Sequence, residues 1–172
     1  EYNPEGAKKL LAKAGYPNGF DLDLWSYRDK EAAQAMAEDL GKVGIKVNLK
    51  HGKLSALNKA RKNREIRAYF GTWGSTASPD TATISNIHWR DPAKGDRNLS
   101  GDPKVNELML GAEQTLDVEK RKSLYAQGLK LIADQAYWVP LWSYSEGVLS
   151  SKSIDFKLDP DGYPRLWNIT WK

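Results

Sequence analysis

The sequence predicts an α/β fold, and three observations carry that reading. Apolar residues recur with helical spacing in some stretches and alternate in others. The two kinds of stretch take turns from Tyr2 to Thr72, and Gly, Pro and Asn punctuate the junctions between them.

The elements follow in order. Asn3-Pro4 reads as a helix start, with Asn as the N-cap and Pro at the first helical position, where its missing N–H loses no bond. Ala7, Leu10, Leu11 and Ala14 form the expected inward stripe, and Gly15 closes the helix. Phe20, Leu22 and Leu24 then alternate with Asp21 and Asp23, as in a strand with one buried face. The helical period returns from about Lys30 to Lys42 through Ala33, Met36, Ala37 and Leu40. After Gly44, the residues Ile45, Val47 and Leu49 alternate with Lys46 and Asn48. This strand–helix–strand unit is expected to be parallel, with a right-handed crossover. A helix over Leu54–Lys62 leads to a strand through Ala68, Phe70 and Thr72.

Residues 74–102 carry loop signals, among them Gly74-Ser75-Thr76, Ser78-Pro79-Asp80 and Asp91-Pro92, with a short helix expected over Asp80–Ile87. Asp102-Pro103 opens a helix whose inward side holds Val105, Leu108, Met109 and Ala112. Asp117 caps a longer one running to about Gln135, with Leu124, Gly128, Leu131 and Ile132 facing inward. Gly128 weakens that helix, so close packing is expected at it. Trp138–Trp142 reads as a buried strand that Pro140 places at an edge or a bend, and the tail from Leu166 to Trp171 alternates again. With no internal repeat and no low-complexity linker, residues 1–172 read as a single domain.

Composition narrows the function classes. With 40% hydrophobic and 28% charged residues, the chain is a folded globular one. It has no apolar run long enough to span a membrane. Residues 1–20 lack a signal-peptide pattern, which suits a cytosolic protein, a mature secreted one or an internal fragment alike. The absence of cysteine removes disulfides, thiolate catalysis and cysteine-held metals. Net charge is +4, and the densest basic stretch (Lys59, Arg61, Lys62, Arg64, Arg67) has no interleaved aromatics, so a solvated face is expected and nucleic acid is not. Seven Trp and eight Tyr against three Phe suit a recognition surface, although a core can use them too.

Catalytic parts are scarce. His51 and His88 have no second ligand at metal-binding spacing, and no nucleophile elbow, phosphate loop or dinucleotide fingerprint is present. Asp21 and Asp23 read as a solvated strand face; Asp91 and Asp96, among Arg90, Lys94 and Arg97, read as surface pairs or a cation loop. No cofactor and no metal are expected. A binding site has its parts. Pockets in open α/β sheets form beyond the carboxyl ends of the strands. The first strand runs into Trp25-Ser26-Tyr27-Arg28 and the third into Trp73-Gly74-Ser75-Thr76. Each offers an aromatic wall beside polar groups. Arg28 can fork two hydrogen bonds to a carboxylate, and Gly74 permits close backbone approach. Equally open at this point is a structural role: Trp25 and Trp73 in a core, and Arg28 paired with Asp29 or Glu31.

Several phrases resemble one family in order. Tyr2 to Tyr16 (YNPEGAKKLLAKAGY) is similar to the DPEKAKKLLAEAGY helix of the peptide/nickel/opine-type extracellular solute-binding proteins, family 5. Gly19-Phe20-Asp21-Leu22 and Val43-Gly44-Ile45-Lys46-Val47 resemble its next phrases, and Trp73 to Asp80 stands where its GW…DP loop stands. Asp117-Val118-Glu119-Lys120-Arg121 with Leu124-Tyr125, and Ala136 to Leu141, resemble its later helix and strand.

The resemblance implies a periplasmic-binding-protein-like (type II) lobe, a mixed sheet flanked by helices, and a truncated C-terminal lobe of a larger two-lobed protein. It implies a non-enzymatic, monomeric component of an ABC importer in the periplasm, or tethered outside the cell. Such a protein captures an oligopeptide, dipeptide, opine or similar solute for membrane permease subunits. It places Arg28 near an arginine that meets the ligand carboxylate in dipeptide binders, and with the strand-end reading the expected ligand contacts are Trp25, Tyr27, Arg28, Trp73, Gly74, Ser75 and Thr76. Peptide binders carry an aspartate for the ligand amine where Ser75 stands here, and Ser78 replaces the aspartate before the proline, so a ligand with a modified amine is implied as a candidate. The competing expectations are a small-molecule hydrolase using Asp80, Asp91 or His88, and a protein-interaction module using exposed aromatics.

Overall fold

The computed structural model describes residues 2–73, 81–89, 100–145, 147–156 and 165–172. The chain divides into two compact units, Glu1–Trp73 and Gly74–Lys172.

The first unit is an α/β layer. Helix α1 spans Pro4–Lys13, and the Asn3 side chain accepts from the Gly6 N–H at 2.8 Å, as its sequence position requires. Strand β1 (Asp21–Ser26), helix α2 (Lys30–Gly41) and strand β2 (Lys46–His51) follow. Helix α3 (Leu54–Lys62) then leads to β3 (Ala68–Phe70). The strand order is β2-β1-β3, and β1 pairs in parallel with both neighbours, Asp21 opposite Lys46 and Leu24 opposite Ala68. The parallel unit expected from the sequence is therefore present. One face of the sheet and its helices bury Leu24, Ala33, Ile45, Leu57, Ala60, Ile66 and Phe70. Each large apolar side chain among them contributes about 1.5–3 kcal/mol.

Two glycines let the strand entrances meet. Gly19 has φ +74, and a Cβ on it would lie 1.8 Å from the Gly44 carbonyl oxygen. Next to this contact the Lys46 N–H donates to the Phe20 carbonyl at 2.9 Å. One expectation fails in α1. Its stripe is not a core face, because Leu10 is 68% exposed and no residue of the helix is buried. The helical period is real there, but the helix lies at the margin of its unit.

The second unit is built on helices. α4 spans Ala82–His88, α5 Pro103–Glu113 and α6 Val118–Asp134. Asp102 caps α5 through the Lys104 and Val105 N–H groups, and Asp117 caps α6 through the Lys120 N–H. α5 packs along α6, and Val105, Met109, Ala112, Tyr125 and Ile132 close a core with Trp89. Gly128 sits where expected: a Cβ there would come within 2.8 Å of Met109 Cε. Ser85 ties α4 to α5 by donating to Glu113 Oε1 at 2.6 Å. A short antiparallel pair joins β4 (Ile154–Asp155) to β5 (Thr170–Trp171).

The strand expected at Trp138–Trp142 does not form. The segment is neither helix nor strand, and Val139 is 64% exposed. Pro140 has no N–H to give a ladder, and no described strand pairs with the segment. Trp138 instead lies 5.1 Å from the His88 ring and 5.8 Å from Trp89. No described helix is long and apolar enough to cross a membrane.

Candidate functional site

In the first unit the chain leaves β1 for β2 on one side and then crosses to β3 on the other. In open sheets a reversal of strand order is where ligands dock, and here it falls at the carboxyl ends of β1 and β3. The residues at that end are Ser26 at the end of β1, Tyr27 and Arg28 after it, and Thr72 and Trp73 after β3.

They are joined through one residue. The Tyr27 hydroxyl donates to the Thr72 carbonyl at 3.2 Å and accepts from the Thr72 N–H at 3.2 Å. Arg28 Nη1 donates to Thr72 Oγ1 at 3.0 Å. Thr72 was legible only as a strand residue. Its place beside Trp73 is the signal that it shares the site. Arg28 stays exposed, so a guanidinium with further donors faces solvent at this end of the sheet. Behind it Asp29 takes φ +43 at the start of α2, a left-handed geometry that aspartate tolerates better than most residues.

The two tryptophans differ. Trp73 is 38% exposed. Trp25 is half-buried, its Nε1 has no hydrogen-bond partner among the described residues, and the Lys50 ammonium stands 5.5 Å from its ring centroid. A cation already covers that ring, so Trp25 supports the sheet face more than it offers an open wall. Gly74, Ser75 and Thr76 lie outside the described residues.

The opposite end of the strands holds an open cleft of about 550 Å³ lined by Asp21, Asp23, Lys46, Asn48, Glu65 and Arg67 with Leu22 and Val47. Its charges are mixed and partly committed. Asp23 accepts from Lys50 Nζ at 2.5 Å and Asn48 Nδ2 at 2.8 Å. The Lys50 bond first, then the Asn48 bond, hold its carboxyl below the usual range against the opposing effect of burial. Asp21 is exposed and Asp23 is paired, so the two aspartates form a solvated strand face, as expected, and the carboxyl end is the better candidate on topology.

Catalytic chemistry finds no arrangement among the described residues. Among the described residues no group of three His, Asp or Glu is placed to hold a metal ion. His51 Nδ1 lies 3.3 Å from Ser26 Oγ, a nucleophile-like spacing, but Ser26 is 1% exposed and its hydroxyl donates to the Arg28 carbonyl at 2.8 Å. A buried hydroxyl already committed to a carbonyl is no nucleophile. His88 is buried in the second unit, and Asp80 and Asp91 lie outside the described residues.

Residues 1–95 match the family described as bacterial extracellular solute-binding proteins, family 5 Middle. Heme-binding protein A of Haemophilus influenzae is 29% identical over 98% of this chain, which covers 33% of that protein. A dipeptide-binding protein from Pseudoalteromonas sp. SM9913 in complex with Met-Leu superposes with TM-score 0.74 at 25% identity. The match covers 99% of this chain and 36% of that one. The binding protein AgaA from Agrobacterium tumefaciens R10, in complex with agropinic acid, gives TM-score 0.65 at 26% identity over 78% of this chain and 29% of that one. The chain spans about a third of the length of the curated relatives it matches.

Proposed function

The chain belongs to the bacterial extracellular solute-binding proteins of family 5, and from that premise we propose that it is the greater part of the C-terminal lobe of a two-lobed periplasmic or membrane-tethered binding protein. That protein captures a peptide or peptide-like acid and delivers it to the permease of an ABC importer. The ligand docks at the carboxyl ends of β1 and β3, and a second lobe closes over it and excludes water. The observation that carries the reading is the Tyr27–Thr72–Arg28 cluster, which holds an exposed guanidinium at the switch point of a parallel sheet. Met-Leu and agropinic acid, named with two of the similar structures, are both acids. An arginine fork is the matching receptor.

In this reading Arg28 orients the ligand acid, Tyr27 and Trp73 flank it, Trp25 backs the sheet, and Gly74, Ser75 and Thr76 complete the polar contacts. Ser75, in place of an acid, leaves the ligand amine without a charged partner. Acetylating the amine of Met-Leu is therefore expected to leave affinity nearly unchanged. A loss of affinity on acetylation contradicts this. The protein has no catalytic role and works as a monomer with the permease. Alone, the 172-residue chain supplies one side of the site, so weak binding is expected from calorimetry. Tight binding by this chain alone would refute the two-lobed mechanism.

A further inference from the structure

We propose that His51 is a positioning residue for the Arg28 anchor, acting through the buried hydroxyl of Ser26; this rests on the proposed role of Arg28. Ser26 stands at the end of β1, in register with His51 at the end of β2 and Phe70 at the end of β3. It is a polar side chain with 1% exposure in the apolar layer that also holds Leu24, so its hydrogen bonds must be met inside the protein. Its one proton goes to the Arg28 carbonyl at 2.8 Å. The contact with His51 Nδ1 at 3.3 Å therefore requires the ring to donate, because the hydroxyl has no second proton to give. This fixes the ring as the Nδ1–H form.

The chain of donors runs from His51 to Ser26 to the Arg28 carbonyl. It pins the backbone of residue 28 from below while Thr72 pins its guanidinium from the side. The Gly52 N–H adds a second tie by donating to the Ser26 carbonyl at 3.0 Å. Between these anchors and α2 lies the left-handed Asp29, a strained conformation that persists only where the surrounding structure holds it, here through the neighbouring Arg28 carbonyl. His51 is exposed and touches no proposed ligand contact directly, so its effect on binding passes through the loop.

Two measurements test this. Nitrogen-15 spectra of the ring are expected to show the Nδ1–H tautomer of neutral His51; the Nε2–H tautomer, usual for a free exposed imidazole, overturns the relay whatever the titrations give. In titrations of the 172-residue chain with the dipeptide Met-Leu, followed by NMR, Arg28→Ala is expected to weaken binding by about tenfold or more. Ser26→Ala and His51→Ala each weaken it by about three- to tenfold, and His51→Asn, whose side-chain N–H occupies the Nδ1 position, restores most of the loss. If Arg28→Ala weakens binding while His51→Ala does not, or if His51→Asn is as weak as His51→Ala, the relay is wrong and the anchor stands. Unchanged affinity in Arg28→Ala removes the anchor and the relay with it.

Discussion

The two units of the chain place their polar groups in opposite ways. In the second, polar side chains finish helices: Asp102 and Asp117 cap α5 and α6, and Ser85 ties α4 to α5, while the interior is Val105, Met109, Ala112, Tyr125 and Ile132 with Trp89. In the first, the sheet's polar face and its carboxyl end hold Asp23, Lys50, Tyr27, Arg28 and Thr72 in bonds that span β1 and its neighbours. The lesson is that one chain can contain a unit whose polar groups finish helices and another whose polar groups tie strands together and leave the Arg28 guanidinium exposed. Substitutions separate the two by what they change.

The largest effect is expected in the helical core. Met109 is 2% exposed and fills the space that Gly128 leaves on α6. Met109→Ala is expected to lower unfolding free energy by about 2–5 kcal/mol in urea melts. A change below about 1 kcal/mol means the helices repack around the cavity. In the sheet unit, Arg28→Ala is expected to lose about 1.5–3 kcal/mol of acid-ligand binding with little change in stability, since Arg28 is exposed. A comparable loss of stability instead makes Arg28 a structural residue. Gly19→Ala forces φ +74 on a side chain aimed at the Gly44 carbonyl, and about 1–3 kcal/mol of strain is expected in thermal melts. Asp117→Ala removes the α6 cap and is expected to cost about 1 kcal/mol.

The smallest effect is on pH dependence. Burial raises the Asp102 carboxyl, but hydrogen bonds from the Lys104 N–H, the Tyr137 hydroxyl and the Val105 N–H outweigh it and hold it below the usual range. A carboxyl lowered on folding stabilises the protein above its unfolded value, and that stability is lost as pH falls through the folded value. Acid titration of stability is expected to flatten at this end of α5 in Asp102→Asn. An unchanged profile means the Asp102 carboxyl is not lowered on folding.

Much of this was legible in the sequence. The alternation at Phe20–Leu24 and Ile45–Leu49, the 3.6-residue period of α2, and the Asp-Pro start of α5 are local signals with local causes, and the structure follows them. The helix stripe of α1 and the Trp138–Trp142 segment misled for a shared reason. Period and composition describe what a segment can bury, while burial itself depends on a partner surface that no local pattern encodes. At the candidate site, Tyr27 and Arg28 were singled out because they follow a strand, and Trp25 because it stands near that strand's end. Thr72 was read as the last residue of a strand that in fact ends at Phe70, and a threonine there carries no signal of its own. That Lys50 covers Trp25 follows from the β1–β2 register, which fixes who stands beside whom only after folding.

The most direct test of the central claim is a map of where an acid ligand touches this chain. Titrating the isotope-labelled chain with Met-Leu is expected to shift backbone and side-chain signals of Tyr27, Arg28, Thr72 and Trp73, with Asp21, Lys46 and Arg67 unmoved. Shifts confined to those three cleft residues, or no shift at Arg28 at any soluble concentration of dipeptide, contradict the assignment of the ligand site to the carboxyl ends of β1 and β3.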